Sequence, residues 1–160
     1  MYQFRKATLD DIPLLLKCRI ALLHSAIGSG DAAQWEFVEN QIELYYKTAI
    51  QDKTHIAFLA FDGDICIGTG GVCFYQVLPT YFKPTGKKAY IINMYTVPKY
   101  RNQGIATQIL DYLIKECLQQ NISYITLEAT DMGRPVYEKF GFTTLHTEMQ
   151  YINNLHKKNL

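Results

Sequence analysis

The sequence has only four cysteines in 160 residues, at Cys18, Cys66, Cys73 and Cys117, and no two of them form a C-x-x-C pair. His24, His55, His146 and His156 are scattered singles. These spacings exclude the usual zinc and dithiol motifs and predict reduced, buried thiols, no disulfide and no metal site. No apolar run approaches the ~20 residues of a membrane span. The longest, around His55–Phe61 and Gly71–Tyr75, are strand-sized. The start, Met1-Tyr2-Gln3-Phe4-Arg5-Lys6, alternates and lacks the apolar centre of a secretory signal. Charge of one sign is also missing: 16 Lys+Arg against 15 Asp+Glu give a formal net charge of +1. That balance predicts no nucleic-acid partner reliant on a basic face. Together these features predict a cytoplasmic protein with no membrane partner. A composition of 48% apolar, 13% aromatic and 19% charged residues excludes disorder and low complexity. It predicts one domain over 1–152 and a polar tail over 153–160.

The periodicity alternates between helix and strand. Tyr2–Ala7 reads as a strand. Thr8-Leu9-Asp10-Asp11 supplies caps and Pro13 suits a first helical turn. Ile12, Leu15, Leu16, Arg19, Ile20 and Leu23 recur at helical spacing until Gly28-Ser29-Gly30-Asp31. A second helix runs from about Ala33 to Ile50. His55–Phe61 and Asp64–Gln76 flank Asp62-Gly63, a hairpin signal. Within the second of these strands, Gly68-Thr-Gly-Gly71 reads as a bulge or a close backbone approach. Lys88–Val97 is a further strand, ended by Pro98. Gln103–Gln119 carries the widest apolar stripe of the chain. Ile122–Ala129 reads as a strand, Asp131–Phe140 as a short helix stopped by Gly141, and Phe142–Ile152 as a last strand. The order is β-α-α-β-β-β-α-β-α-β, an α/β (α+β) domain with a mixed sheet.

Chemistry concentrates after Tyr90. A strand enters a turn bearing Arg101-x-x-Gly104-x-Ala106, which opens directly into the long helix. Such a helix start presents partnerless backbone N–H groups and the positive end of the macrodipole, which suit a diphosphate. Lys99 and Arg101 add charge. Taken alone, Gly104 serves a tight turn equally well, and the sequence here is neither a dinucleotide fingerprint nor a Walker loop. After one more strand comes Gly133-Arg-Pro-Val-Tyr137-Glu-Lys-Phe-Gly-Phe142.

With these two segments at this separation, the chain resembles the GNAT superfamily of acyl-CoA-dependent N-acetyltransferases. Arg101-x-x-Gly104-x-Ala106 is similar to the family's coenzyme-A signature, and Tyr137-Glu-Lys-Phe-Gly-Phe142 to its Tyr-Glu-Lys-x-Gly-Phe ending. Many members have two strands after the last helix, whereas this chain has room for one good strand or two short ones. The resemblance implies a mostly antiparallel sheet flanked by helices, whose fourth strand bulges and splays from the fifth, with acetyl-CoA as cosubstrate in the gap. It implies backbone pairing of Tyr95 and Val97, with Thr96 between them, to the pantetheine arm. It also implies diphosphate contacts from Asn102, Gln103, Gly104, Ile105, Ala106 and Thr107 beside Arg101, and coenzyme contacts at Gly133 and Tyr137.

The implied reaction is direct acetyl transfer to a primary amine of a small molecule. Tyr137 is the expected acid for the leaving thiolate, since a phenol with pKa near 10 stays protonated at neutral pH. Glu128, at the end of the fifth strand, is the expected base. A backbone N–H near Met94 or Tyr95 is the expected oxyanion donor. Gly28–Asp31, Trp35, Glu36, Tyr45 and Tyr75 are candidates for the acceptor site. A protein lysine or N-terminal acetyltransferase, a non-catalytic acyl-CoA-binding regulatory module and a nucleotide-binding domain are the competing readings. A homodimer is the family's habit.

Overall fold

A computed structural model describes residues 1–28 and 30–151. The chain divides into two compact units, Met1–Glu128 and Ala129–Leu160. The first unit holds β1 (Gln3–Lys6), α1 (Ile12–Ile27), α2 (Ala32–Gln51), β2 (His55–Asp62), β3 (Ile65–Gln76), β4 (Lys87–Thr96), α3 (Ile105–Gln119) and β5 (Ile125–Leu127). The second holds α4 (Arg134–Phe140).

The five strands form one sheet in the order β1-β2-β3-β4-β5. The first four run antiparallel to their neighbours and β5 is parallel to β4. Consecutive strand residues point to opposite faces. On β2, Phe58 stacks on Tyr112 of α3, whereas Leu59 packs with Leu15 of α1 and Tyr46 of α2. The first two helices therefore cover one face of the sheet and α3 the other. The α3 stripe of Ile105, Ile109, Leu110, Leu113 and Cys117 is fully buried. Gly70 explains how α3 lies so close: a Cβ there would come 2.6 Å from Ile109 Cγ2. The Gly68–Gly71 run thus serves close approach.

Local chemistry starts the helices where the sequence predicts. Asp11 Oδ2 accepts from the Thr8 N–H at 2.8 Å, and both Asp11 carboxylate oxygens receive Arg5 at 2.7 Å. The Arg5 guanidinium and these N–H bonds hold the Asp11 carboxyl down at about 2. Asp31 Oδ2 accepts from the Gln34 N–H at 2.9 Å and caps α2.

Several boundaries differ from the sequence pattern. The hairpin turn is Gly63-Asp64, because Asp62 pairs with Ile65. The expected strand over Ile122–Ala129 contracts to Ile125–Leu127. The N–H groups of Gln120, Asn121 and Ile122 bond back to carbonyls of the last turn of α3, so Ile122 belongs to the helix end. The helix expected from Asp131 starts at Arg134, after a turn closed by Gly133 N–H on Thr130 O. The expected strand Phe142–Ile152 does not form over 142–151. Its apolar residues lack a buried face, with Leu145, Met149 and Tyr151 exposed. Ser29, Ile152 and the tail 153–160 lie outside the described residues.

Candidate active site

Strand β4 carries an irregularity that shapes the site. Tyr95 stands opposite Thr69 and Ile92 opposite Gly71, so Asn93 and Met94 together face the single residue Gly70. This is a β-bulge. Asn93 accommodates it at φ +57°, a left-handed conformation that Asn tolerates better than most residues. The bulge resets the alternation of side chains. Ile92 and Asn93 both reach the face covered by α1 and α2, while Met94 lies toward α3.

The bulge also marks where the sheet opens. β4 pairs with β5 only over Ala89–Ile91, opposite Ile125–Leu127. Beyond Ile91, β5 offers β4 no partner. The Val97 N–H donates to Ile67 O at 2.9 Å, continuing the register Tyr95↔Thr69 and Thr96↔Gly68. In an antiparallel pair that pattern turns the backbone groups of Tyr95 and Val97 toward β3, and those of Met94 and Thr96 away from it, toward the opening. The Val97 carbonyl is also engaged, accepting from the Tyr100 N–H at 2.8 Å. The expectation that Tyr95 and Val97 face the gap is thus displaced by one residue, because the bulge inserts one.

The turn after β4 is tightly built. Asn102 and Gly104 have φ of +61° and +79°, and Gly104 is the residue before the first helical one. The Arg101 Nε donates to Thr96 O at 3.3 Å, bracing the turn against the strand. The Gln103 side chain donates to Lys99 O at 3.3 Å and accepts from the Tyr2 hydroxyl, so its amide serves the turn. The first bond of α3 is Gln108 N–H to Gly104 O. The N–H groups of Ile105, Ala106 and Thr107 precede it and have no acceptor within the helix. Nothing lies within 4 Å of a Cβ built on Gly104.

Between α1, α2 and the sheet lies a cavity of about 390 Å³. Asn93 borders it and is 6% exposed. Its Nδ2 donates to the Tyr46 hydroxyl at 3.3 Å, and its Oδ1 has no partner. His55 is 2% exposed, and burial pushes its imidazole down to about 4, so it is neutral at physiological pH. The Tyr45 hydroxyl lies 3.1 Å from His55 Nδ1 and 3.0 Å from Cys73 Sγ. Burial raises the Tyr45 phenol and pushes Tyr46 up to about 12. Of the acceptor candidates, Tyr45 borders this cavity and Trp35, Glu36, Tyr75 and Asp31 do not. Trp35 packs on His24 with ring centroids 4.1 Å apart, and Asp31 caps α2. The sequence signal for the Asn93, Tyr46, His55 and Cys73 cluster was slight, since each occupies a position that reads as ordinary core.

Glu128 follows β5 and is exposed. The Tyr90 hydroxyl interacts with both its carboxylate and its backbone; burial first, and then the Glu128 charge, raise the Tyr90 phenol. In the second unit Tyr137 is buried and its ring lies edge-on to Phe142 at 6.0 Å. Burial raises its phenol above the ordinary tyrosine value, which keeps it protonated. Gly133 accommodates that ring, since a Cβ there would lie 3.1 Å from Tyr137 Cε2. Among the described residues no three His, Cys, Asp or Glu are grouped to hold a metal ion, and no helix is long and apolar enough to cross a membrane.

A sheet that opens beyond a bulge, with a helix N-terminus at the end of the bulged strand, presents backbone N–H groups of the kind that suit a phosphate. Residues 26–142 match the acetyltransferase (GNAT) family, and the chain belongs to it. A crystal structure of a predicted acetyltransferase with acetyl-CoA from Clostridium acetobutylicum is 34% identical, with 97% of each chain covered and a TM-score of 0.87. A GCN5-related N-acetyltransferase from Ralstonia eutropha JMP134 shares the fold at 22% identity and a TM-score of 0.82, over 95% of this chain and 99% of that one. The mouse thialysine N-epsilon-acetyltransferase is 28% identical over 80 residues, covering 50% of this chain and 44% of that protein. The chain thus matches less than half the length of that relative. Acetyl-CoA is the cosubstrate of the family, and the mixed, mostly antiparallel sheet flanked by helices is its fold.

Proposed function

We propose that this protein transfers the acetyl group of acetyl-CoA directly to a primary amine of a small molecule. The observation that carries the reading is the opening of β4 from β5 at the bulge, with partnerless N–H groups at the start of α3 on one side of it and a cavity beside Asn93 on the other. In this reading the diphosphate rests on the N–H groups of Ile105, Ala106 and Thr107, with Asn102, Gln103 and Gly104 shaping the turn and Arg101 bracing it. Met94 and Thr96 offer backbone groups to the pantetheine arm. The Met94 N–H faces the opening and is the donor for the oxyanion that forms as the amine attacks the thioester carbonyl.

Collapse of the tetrahedral adduct breaks the carbon–sulfur bond, and the thiolate takes a proton. Tyr137 is the donor by the family resemblance, and its raised phenol is consistent with a proton held until sulfur leaves. Glu128, the carboxylate at the end of β5, receives the proton lost by the acceptor through water, since it does not border the cavity. Cys117 is fully buried on α3, and burial raises the thiol of Cys73, the cysteine that borders the cavity, which together support direct transfer over an acyl-enzyme. A cavity of this volume suits a small acceptor better than an extended peptide. The mouse relative, named for the ε-nitrogen of thialysine, acts on such an amine. An amine screen following release of the coenzyme-A thiol tests the reading. Turnover with at least one small amine and none with lysine-bearing peptides supports it; turnover with peptides alone overturns it.

A further inference from the structure

The cavity beside Asn93 carries a charge that the transfer reaction does not use. Arg19, on α1, is the one charged side chain bordering it among the described residues. It is half-buried and forms no ion pair among the described residues. Its positive charge acts on Tyr46 and on Cys73, which border the same cavity. Among the described residues no carboxylate borders the cavity to balance it. The remaining wall is mostly apolar and aromatic, with Phe37, Val38 and Ile42 on α2, and its other polar side chains, Gln41 and the buried His55 among them, carry no charge to balance Arg19. A second feature also lacks its complement: Asn93 borders the same cavity, and its buried Oδ1 accepts no hydrogen bond. A buried acceptor left unpaired is costly, and a half-buried cation in an apolar pocket is unbalanced, so both are satisfied by a ligand that brings a donor and an anion.

We infer that the cavity selects an acceptor amine carrying an anionic group, a carboxylate or a phosphate, with Arg19 pairing with the anion and Asn93 Oδ1 accepting an N–H of the amine. This rests on the transfer reaction proposed above. Arg19 is then the specificity residue and Asn93 the positioning residue. The bulge gives Asn93 this role, since it turns that side chain into the cavity one residue from the Met94 N–H. The same arrangement disfavours polycationic acceptors, whose further ammonium groups meet Arg19 with no carboxylate to offset the repulsion.

The test compares amines in matched pairs. A series of amine-carboxylates of increasing chain length, with L-lysine among them, is set against the same amines without the carboxylate, and a third set carries a phosphate in its place. The expected result is a kcat/KM preference of at least about tenfold for the anionic member of the best pair, the scale of one charge-assisted hydrogen bond. In Arg19→Gln that preference collapses to within about threefold, and Arg19→Lys, which keeps the charge without the planar fork, restores part of it. In Asn93→Ala the loss falls equally on both members of a pair, because the amine is common to them. A preference for the carboxylate or for the phosphate set supports the inference and names the anion. Equal rates for charged and uncharged members in the native chain overturn it, as does an unchanged preference in an Arg19→Gln protein of normal melting temperature. If Arg19→Gln does not fold, Arg19→Lys and the native pairwise ratios decide. Calorimetric titration of each pair into protein saturated with coenzyme A separates the two layers of the argument. Anion-dependent binding without turnover upholds the pocket and refutes the transfer reaction, whereas turnover without anion dependence does the reverse.

Discussion

Replacing Gly104 by Asn and, separately, by Asp changes the turn before α3 by one charge at nearly constant shape. Gly104 sits at φ +79° and ψ 0°, where a side chain strains the backbone by roughly 1 kcal/mol, and where Asn and Asp are the side chains best tolerated. Neither substitution clashes, because a Cβ there has nothing within 4 Å. Both variants should therefore melt slightly below the native protein, and by similar amounts. They should part on coenzyme binding. A carboxylate about 5 Å from a bound diphosphate is repelled by ~1–3 kcal/mol for an effective dielectric between water and a protein surface. That corresponds to a ~5- to ~150-fold weaker affinity for acetyl-CoA in Gly104→Asp than in Gly104→Asn. Isothermal titration of both variants with acetyl-CoA reads the difference, and added salt should narrow it. Equal affinities in two folded variants would refute the placement of the diphosphate at this turn.

Tyr137→Phe keeps the ring and removes the hydroxyl, so the maximal rate should fall by about 10²-fold with little change in acetyl-CoA affinity; a loss under about threefold, with chemistry rate-limiting, removes Tyr137 as the acid. His55, held at about 4 in the fold against about 6.5 in the unfolded chain, leaves the unfolded state the better proton binder between those values. Stability should thus fall as the pH drops through that window, by about 2 kcal/mol between pH 7 and pH 5. Urea midpoints should show this slope in the native protein and a shallower one in His55→Gln, and equal slopes would mean His55 is not the group responsible. Leu113→Ala should cost ~3 kcal/mol, because Leu113 is fully buried in the α3 stripe, and a change below about 1 kcal/mol would mean that the stripe is loosely packed.

The parts of this site legible in the sequence are those whose signal is local. Arg101, Gly104 and Ala106 stand at fixed offsets between a strand and an amphipathic helix, and that turn lies at the end of β4. The parts that depend on long-range pairing were not legible. The bulge at Asn93 and Met94 lies inside an apolar alternating strand, and nothing local shows that one residue is inserted opposite Gly70. That insertion is why the backbone groups facing the opening are those of Met94 and Thr96 and not Tyr95 and Val97. The cavity shows the same limit. Arg19, Tyr46, His55 and Asn93 come from four elements, and only the packing of α1 and α2 on the sheet brings them to one place. Trp35 and Asp31 looked more promising as isolated residues, yet each is occupied locally, by His24 and by the α2 N-terminus. The segment after α4 misled in another way, because over 142–151 its alternation forms no strand and leaves Leu145, Met149 and Tyr151 exposed.

The most direct test of the account is a crystal structure of the chain with the best amine from the screen and an unreactive acetyl-CoA analogue in which methylene replaces the thioester sulfur. The account predicts the diphosphate on the N–H groups of Ile105, Ala106 and Thr107, the carbonyl oxygen that stands for the thioester's within hydrogen-bond distance of the Met94 N–H, and the amine in the cavity beside Asn93. A coenzyme bound away from the β4–β5 opening, or an amine bound outside that cavity with its nitrogen aimed at the thioester, would contradict it.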